Sequence, residues 1–180
     1  MSLLGNPPEK WRSQDVRFRQ GASAESIQLF EQTYGVAMPT DLKTYFLTAN
    51  GMGSDEIWEW DADMLAFWPL PTLHELASPG AAMTHVAPLP TVWPSAPQSF
   101  CDLFVIGDWS IMCFAFCARI IATQSDTAEI YFYDGNPPLC IASSFTEFLH
   151  RYVEHGLNVF CAGEPKLPNS AACERLRSSR

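Results

Sequence analysis

The chain has 180 residues, of which 47% are hydrophobic and 17% are charged, and its formal net charge at pH 7 is −9. A chain of this composition can bury the core of one domain, so whole-chain disorder is excluded. Its longest strongly apolar run, residues 111–118, falls well short of the ~20 residues that a transmembrane helix needs, and no membrane partner is expected.

Negative charge is concentrated in the middle of the chain. Between Lys43 and Arg119 there is no lysine or arginine, while eight acidic residues occur there: Asp55, Glu56, Glu59, Asp61, Asp63, Glu75, Asp102 and Asp108. Nucleic-acid affinity depends largely on basic side chains that neutralise phosphates. We therefore expect no direct binding of nucleic acid.

Residues 1–22 contain two prolines, two glycines and mixed charges, which predict an N-terminal arm without a regular period. A secretory signal would need an uninterrupted apolar stretch there, so we expect a cytoplasmic protein with reduced cysteines. The first predicted helix follows, with Ser23 as its N-cap, Ile27, Phe30 and Tyr34 on one apolar face, and Gly35 at its end.

A second helix is predicted from Pro39 to Asn50-Gly51. Pro39 and Asp41 are typical of a helix start. The apolar residues that follow recur at helical spacing and form one stripe: Leu42, Tyr45, Phe46 and Ala49.

Downstream, the hydrophobic period shifts towards that of a β-strand. In residues 56–62, Trp58 and Trp60 alternate with Ile57, Glu59 and Asp61, which predicts an extended strand with its tryptophans on one face. A short helical turn is predicted around residues 72–76. Residues 77–100 carry five prolines and predict a long loop within the domain.

Three strands are predicted at residues 102–109, 111–120 and 129–133, since these stretches are rich in β-branched and aromatic residues. Ser144 and Glu147 then form a capping box at the start of an amphipathic helix that ends at Gly156. Residues 162–180 predict a flexible tail. The order predicts one α+β domain, residues 23–161, whose largely antiparallel sheet is flanked by two N-terminal helices and one C-terminal helix.

Three segments of this pattern resemble the SUKH superfamily, which includes yeast cell-wall synthesis regulators and bacterial toxin-immunity proteins. The first and most distinctive is IQLFEQTYGVAMPTDLKTYFLTANG, residues 27–51. The others are LFVIGDWSIMCFAF, residues 103–116, and SSFTEFL, residues 143–149. The resemblance implies a sheet flanked by helices, a protein-binding role and motif positions that are mostly structural.

No residue pattern predicts a catalytic, cofactor-binding or metal-binding site. Cys113 and Cys117 lie ~13 Å apart if they share a strand, too far for two ligands of one zinc ion. His150 and His155 lie on different faces of a helix, whereas His74 and His85 are isolated in sequence.

The acidic segment offers the sharper functional hypothesis. If residues 55–63 are extended, Asp55, Glu59, Asp61 and Asp63 form one row of carboxylates, with Trp58 and Trp60 on the opposite face. Such a row is either a solvated strand face or a surface for a basic protein partner. We take Asp55, Glu56, Glu59, Asp61 and Asp63 as candidate partner-binding residues.

We therefore expect an immunity protein or antitoxin that masks a toxin domain with a basic surface, such as a nuclease. A housekeeping interaction module is the alternative. A small hydrolase or deamidase is a third, and it requires a cysteine, a histidine and a carboxylate to converge in a pocket.

Overall fold

A computed structural model of the chain describes residues 9–54, 57–75, 102–111, 113–134, 138–157 and 160. The predicted loop at 77–100 and the predicted tail at 162–180 lie outside the described residues. The helices are α1 (Glu9–Arg12), α2 (Ala24–Tyr34), α3 (Thr40–Thr48) and α4 (Phe145–His155), with a 3-10 turn at Leu70–Thr72. The strands are β1 (Phe18–Gln20), β2 (Ala49–Met52), β3 (Leu65–Phe67), β4 (His74–Glu75), β5 (Leu103–Trp109), β6 (Phe114–Arg119), β7 (Ile130–Tyr133) and β8 (Leu139–Ala142).

The predicted α+β class is confirmed, and six of the strands form one antiparallel sheet. Its order is β3-β5-β6-β7-β8, and β4 pairs with β5. β5 lies in the interior of the sheet and is buried from Leu103 to Asp108. Aromatic side chains of α4 pack on one face of this sheet, where Phe148 lies 5.1 Å from Phe116 between ring centroids.

The three predicted long helices form, and α2 and α4 have the caps that their sequences indicate. Ser23 accepts a hydrogen bond from the backbone N–H of Ser26, and Gly35 ends α2 with a φ of 65°. Ser144 accepts from the N–H of Glu147 at 2.9 Å. The reciprocal bond of the capping box is shifted by one residue, since the Glu147 carboxylate accepts from the N–H and the hydroxyl of Ser143.

The predicted end of the second helix at Asn50-Gly51 is wrong, because α3 ends at Thr48 and both residues lie in β2. The Asn50 side chain accepts a hydrogen bond from the N–H of Leu70 at 2.7 Å. Gly51 has a φ of 82°, and a Cβ atom there would lie 2.6 Å from the backbone nitrogen of Pro69. Only glycine combines this left-handed conformation with so close a backbone neighbour.

Residues 9–20 are ordered where an irregular arm was expected. Trp11 is 1% exposed and belongs to the hydrophobic core, stacked on Tyr152 with the ring centroids 5.8 Å apart. β1 pairs with β2 in a second, two-stranded antiparallel sheet. The first described residues therefore pack on the domain. The predicted start of the domain at residue 23 stays a prediction.

The predicted strand at residues 56–62 is wrong. Within the described residues 57–64 no strand forms, and the neighbouring strand is β3. The reason lies in Asp61, whose backbone closes a turn: its N–H donates to the carbonyl of Leu65, and its carbonyl accepts from the N–H of Met64, both at 2.9 Å.

The predicted helical turn at residues 72–76 also differs from the structure, because a 3-10 turn lies at Leu70–Thr72 and β4 follows it.

Candidate functional site

The acidic segment is the predicted site, and the described part of it consists of residues 57–63. Asp55 and Glu56 lie outside the described residues. Glu59, Asp61 and Asp63 do not form the expected row on one strand face. Each of them instead contacts side chains from the N-terminal residues 10–17.

Asp61 is buried, with 4% of its surface exposed. Its Oδ2 accepts from the indole N–H of Trp11 at 2.8 Å and contacts the hydroxyl of Tyr152. Its Oδ1 accepts from the backbone N–H groups of Asp63 and Leu65, both at 3.0 Å. Burial raises the pKa of the Asp61 carboxyl above its ordinary value, and the neighbouring charge of Asp63 raises the pKa further.

Asp63 lies at the edge of the same cluster and is partly exposed. Its carboxylate forms a 2.6 Å ion pair with Lys10 and accepts from the Tyr152 hydroxyl at 3.3 Å. The Lys10 ammonium group also lies 4.0 Å from the centre of the Tyr152 ring. We call Lys10, Trp11, Asp61, Asp63 and Tyr152 the Asp61 cluster.

Glu59 is held by Arg17 in a more exposed ion pair. Its carboxylate accepts from the backbone N–H of Arg17 at 2.9 Å and from the guanidinium at 2.7 Å. The Arg17 side chain is 67% exposed and that of Glu59 is 18% exposed. Two basic residues, Lys10 and Arg17, thus neutralise part of the charge of the segment.

The other two buried aspartates in the described residues, Asp41 and Asp108, are also engaged by hydrogen-bond donors. Asp41 accepts from the backbone N–H groups of Leu42, Ala128 and Phe145 at 2.7–3.0 Å, and so joins α3 to the start of α4. Asp108 accepts from the indole N–H groups of Trp60 and Trp68 at 3.1 and 2.7 Å. These contacts give both carboxylates structural roles.

Sequence reasoning missed Lys10, Trp11 and Tyr152 as members of this cluster. Tyr152 was expected in the apolar stripe of the final helix, and that stripe is buried, but the helical period does not indicate where a hydroxyl will find a partner. For Trp11 there was a signal. A tryptophan in a short polar stretch carries enough apolar surface to dock on a core.

The cysteines and histidines were weighed as possible ligands or catalytic groups. There, no group of three or more histidine, cysteine, aspartate and glutamate side chains could hold a metal ion. The free cysteines among these residues are Cys113, which is exposed, and Cys117 and Cys140, which are buried. Burial raises the pKa of the Cys117 thiol, which opposes formation of a nucleophilic thiolate. His150 is exposed on α4, as is His155 in the same helix.

A second feature lies at one end of the six-stranded sheet, where β3 begins and β5 turns into β6. Trp109, Phe114 and Phe132 are half-buried there, with centroid distances of 5.0 Å for Trp109 and Phe114 and 5.4 Å for Phe114 and Phe132. Three large apolar side chains beside them are exposed: Met64 (39%), Ile111 (58%) and Leu139 (43%). We call these six residues the edge patch.

The Asp61 cluster and the edge patch are neighbours. The indole N–H of Trp109 donates to the backbone carbonyl of Asp63 at 2.9 Å. The N–H of Ser110 donates to the carbonyl of Met64 at 3.0 Å. The turn that Asp61 closes is thereby fixed against the turn between β5 and β6.

Comparison with known proteins supports the resemblance seen in the sequence. Residues 21–151 match the family model described as the SMI1 / KNR4 family (SUKH-1). A search of curated proteins found no match to this chain. In the described residues, no helix is both long enough and apolar enough to cross a membrane.

Proposed function

Because the chain belongs to the SMI1 / KNR4 (SUKH-1) family, we propose that it is an immunity protein or antitoxin that masks a toxin domain by direct binding. The family match over residues 21–151 is the observation that carries this proposal. Membership is consistent with toxin immunity, and proteins of this family are generally non-catalytic immunity proteins or regulators. We place the activity in the cytoplasm, where a toxin with an intracellular target would have to be masked.

The negative charge of the chain supports the proposal that its partner has a basic surface. The formal net charge is −9, and no lysine or arginine occurs between Lys43 and Arg119. A toxin that binds nucleic acid needs a basic groove for phosphates. Attraction between the two surfaces would accelerate association, and the rate would fall as added salt shortens the Debye length from ~8 Å at physiological ionic strength.

The candidate partner-binding carboxylates are Asp55, Glu56, Glu59, Asp61 and Asp63. Of the three in described residues, Asp63 is the most exposed, with 40% of its side chain accessible, and Glu59 has 18%. Asp61 is buried, so it would act by positioning Asp63 rather than by touching the partner. Glu59 and Asp63 keep partial exposure that suits the polar rim of an interface.

The proposal is tested by co-expression with the toxin encoded beside this gene. We expect growth to be rescued and the two proteins to co-purify as a complex. Association rates with the inactivated toxin domain should then fall more steeply with salt for the wild type than for Asp63→Asn. Glu25→Gln is the matched control, because it removes one negative charge from the fully exposed first turn of α2.

Two results would contradict the proposal. If the adjacent gene product neither harms growth nor binds, while pull-downs return endogenous proteins in fixed stoichiometry, the chain is a housekeeping interaction module. If Asp63→Asn and Glu25→Gln change the salt dependence equally, the attraction is a property of net charge and the acidic segment has no special part.

A further inference from the structure

The edge patch has the composition of the centre of a protein interface. Exposed apolar residues scattered singly are ordinary on a protein surface, but a contiguous group is not. Here three half-buried aromatic rings lie on the face of the sheet that α4 covers farther along, exposed Leu139 pairs with one of them, and exposed Met64 and Ile111 lie in the turns at the same end. Aromatic residues and methionine are enriched at interfaces, where a few of them carry most of the binding energy.

The strand register places four of these residues on one face. Trp109 pairs with Phe114, and Phe132 pairs with Leu139. Residues that pair directly across an antiparallel sheet project to the same face, and the rings of Phe114 and Phe132 lie 5.4 Å apart between centroids. These four residues therefore run from β5 to β8, and Met64 and Ile111 lie in the turns at the same end of the sheet.

The backbone at the patch is held in unfavourable conformations. Met64, Ser110 and Ile111 have φ values of 64°, 57° and 52°, and they are three of the four non-glycine residues with positive φ in the described part of the chain. A positive φ is costly for a β-branched residue such as isoleucine. Strain of this kind persists where the surrounding structure enforces it, and it is common at binding sites. Here it occurs at two exposed residues, Met64 and Ile111, in turns joined by the hydrogen bond from Ser110 to Met64.

The charge around the patch indicates what kind of surface fits it. The described residues of the elements that form it, 57–75, 102–111, 113–118, 130–134 and 138–139, contain no lysine or arginine. Asp63 is directly adjacent, through its carbonyl bond to Trp109, and exposed Asp134 follows β7 at the same end of the sheet. In the described residues, Lys10 forms an ion pair with Asp63, and Arg17 forms one with Glu59 in the same segment.

We propose that the edge patch is the docking centre for a protein partner that inserts an apolar side chain flanked by basic residues. The inference rests on the proposed function, because it assigns the toxin-binding surface to this end of the sheet. Ile111 and Leu139 contact the apolar group, and Asp63 and Asp134 form the acidic rim that faces the basic residues. The central contacts determine how long the complex persists, whereas the rim charges determine how fast it forms.

The experiment measures binding of the inactivated toxin domain encoded beside this gene to the full chain and to single variants. Ile111→Ser and Leu139→Ser should each weaken binding about tenfold or more, chiefly through faster dissociation. Leu29→Ser and Leu47→Ser are matched controls, since these leucines are 64% and 47% exposed on α2 and α3. They should leave the affinity within about twofold. Thermal unfolding of each variant confirms that the fold is retained.

Each outcome decides a different question. If the wild type binds and both patch variants bind equally well, the patch is not the docking centre, although the proposed function stands. If the wild type does not bind the adjacent gene product, the proposed function and this inference both fail. If the free protein forms a dimer that Ile111→Ser disrupts, and toxin binding is unaffected, the patch belongs to a second copy of the chain and the inference is overturned.

Discussion

Replacing Asp61 with alanine tests whether the acidic segment serves the fold before it serves a partner. Four donors bond to this carboxylate: the indole of Trp11, the hydroxyl of Tyr152 and the backbone N–H groups of Asp63 and Leu65. Tyr152 can turn to Asp63, and the N–H of Asp63 lies near the surface, so two buried donors, the indole of Trp11 and the N–H of Leu65, lose this acceptor. At about 1–3 kcal/mol for each unsatisfied group, we expect a loss of about 2–6 kcal/mol.

Urea unfolding at pH 7, followed by tryptophan fluorescence and far-ultraviolet circular dichroism, measures this loss. It is a large share of the ~5–15 kcal/mol stability of an ordinary domain. Asp63→Ala is the matched control and should cost about 1 kcal/mol or less, because its ion pair with Lys10 is partly exposed. If Asp61→Ala does not fold, Asp61→Asn keeps one acceptor oxygen and should fall between the two. If Asp61→Ala and Asp63→Ala lower the free energy of unfolding equally, the buried hydrogen-bond network is refuted, and the acidic segment is better described as an exposed acidic face.

Three further predictions concern the pKa of Asp61, the cap of α4 and the reactivity of the cysteines. Burial raises the pKa of Asp61 above the ordinary 3.8, so the folded state binds this proton more tightly than the unfolded state does. Urea titrations at several pH values should therefore show the wild type losing stability relative to Asp61→Asn as the pH rises from about 3.8 through the folded-state pKa. A stability difference that stays constant with pH would contradict the raised pKa. Ser144→Ala should cost about 1 kcal/mol by removing the cap of α4, and an unchanged urea midpoint would show that the cap contributes nothing. Under native conditions iodoacetamide should alkylate exposed Cys113 and spare buried Cys117, as read by peptide mass spectrometry, and rapid reaction of Cys117 would revive the hydrolase hypothesis.

The ends of α2 and α4 could be predicted because the residues that cap a helix act locally. Ser23, Gly35, Ser144 and Gly156 act on neighbours within four residues, and all four lie at the helix ends that the structure shows. β5, β6 and β7 were also found, since a buried strand needs a continuous apolar run. β8 was missed. Its four residues, Leu139–Ala142, are too few to establish a period and follow a pair of prolines.

The acidic segment was wrongly predicted to be a strand, because the alternation of its tryptophans with other residues arises from contacts outside any sheet. Trp58 and Trp60 do lie near the same neighbours, as their spacing suggested: Trp58 packs against Trp68, and Trp60 donates to Asp108 beside Trp68. What the period does not encode is the long-range partner of each carboxylate. Trp11 lies 50 positions away from Asp61 in sequence, and Tyr152 lies 91 positions away. The partner-binding role of the five carboxylates stays a prediction.

The two features of this end of the molecule depend on each other. Asp61 closes the turn that gives Met64 its left-handed backbone, and the carbonyl groups of Asp63 and Met64 bond to Trp109 and Ser110. A carboxylate that seemed to be part of a charged surface therefore holds an apolar surface in place. Burying a charge of this kind is costly unless several donors satisfy it. The four donors around Asp61 meet that condition, and the strain at Met64 can persist because the turn that carries it is fixed from within the core.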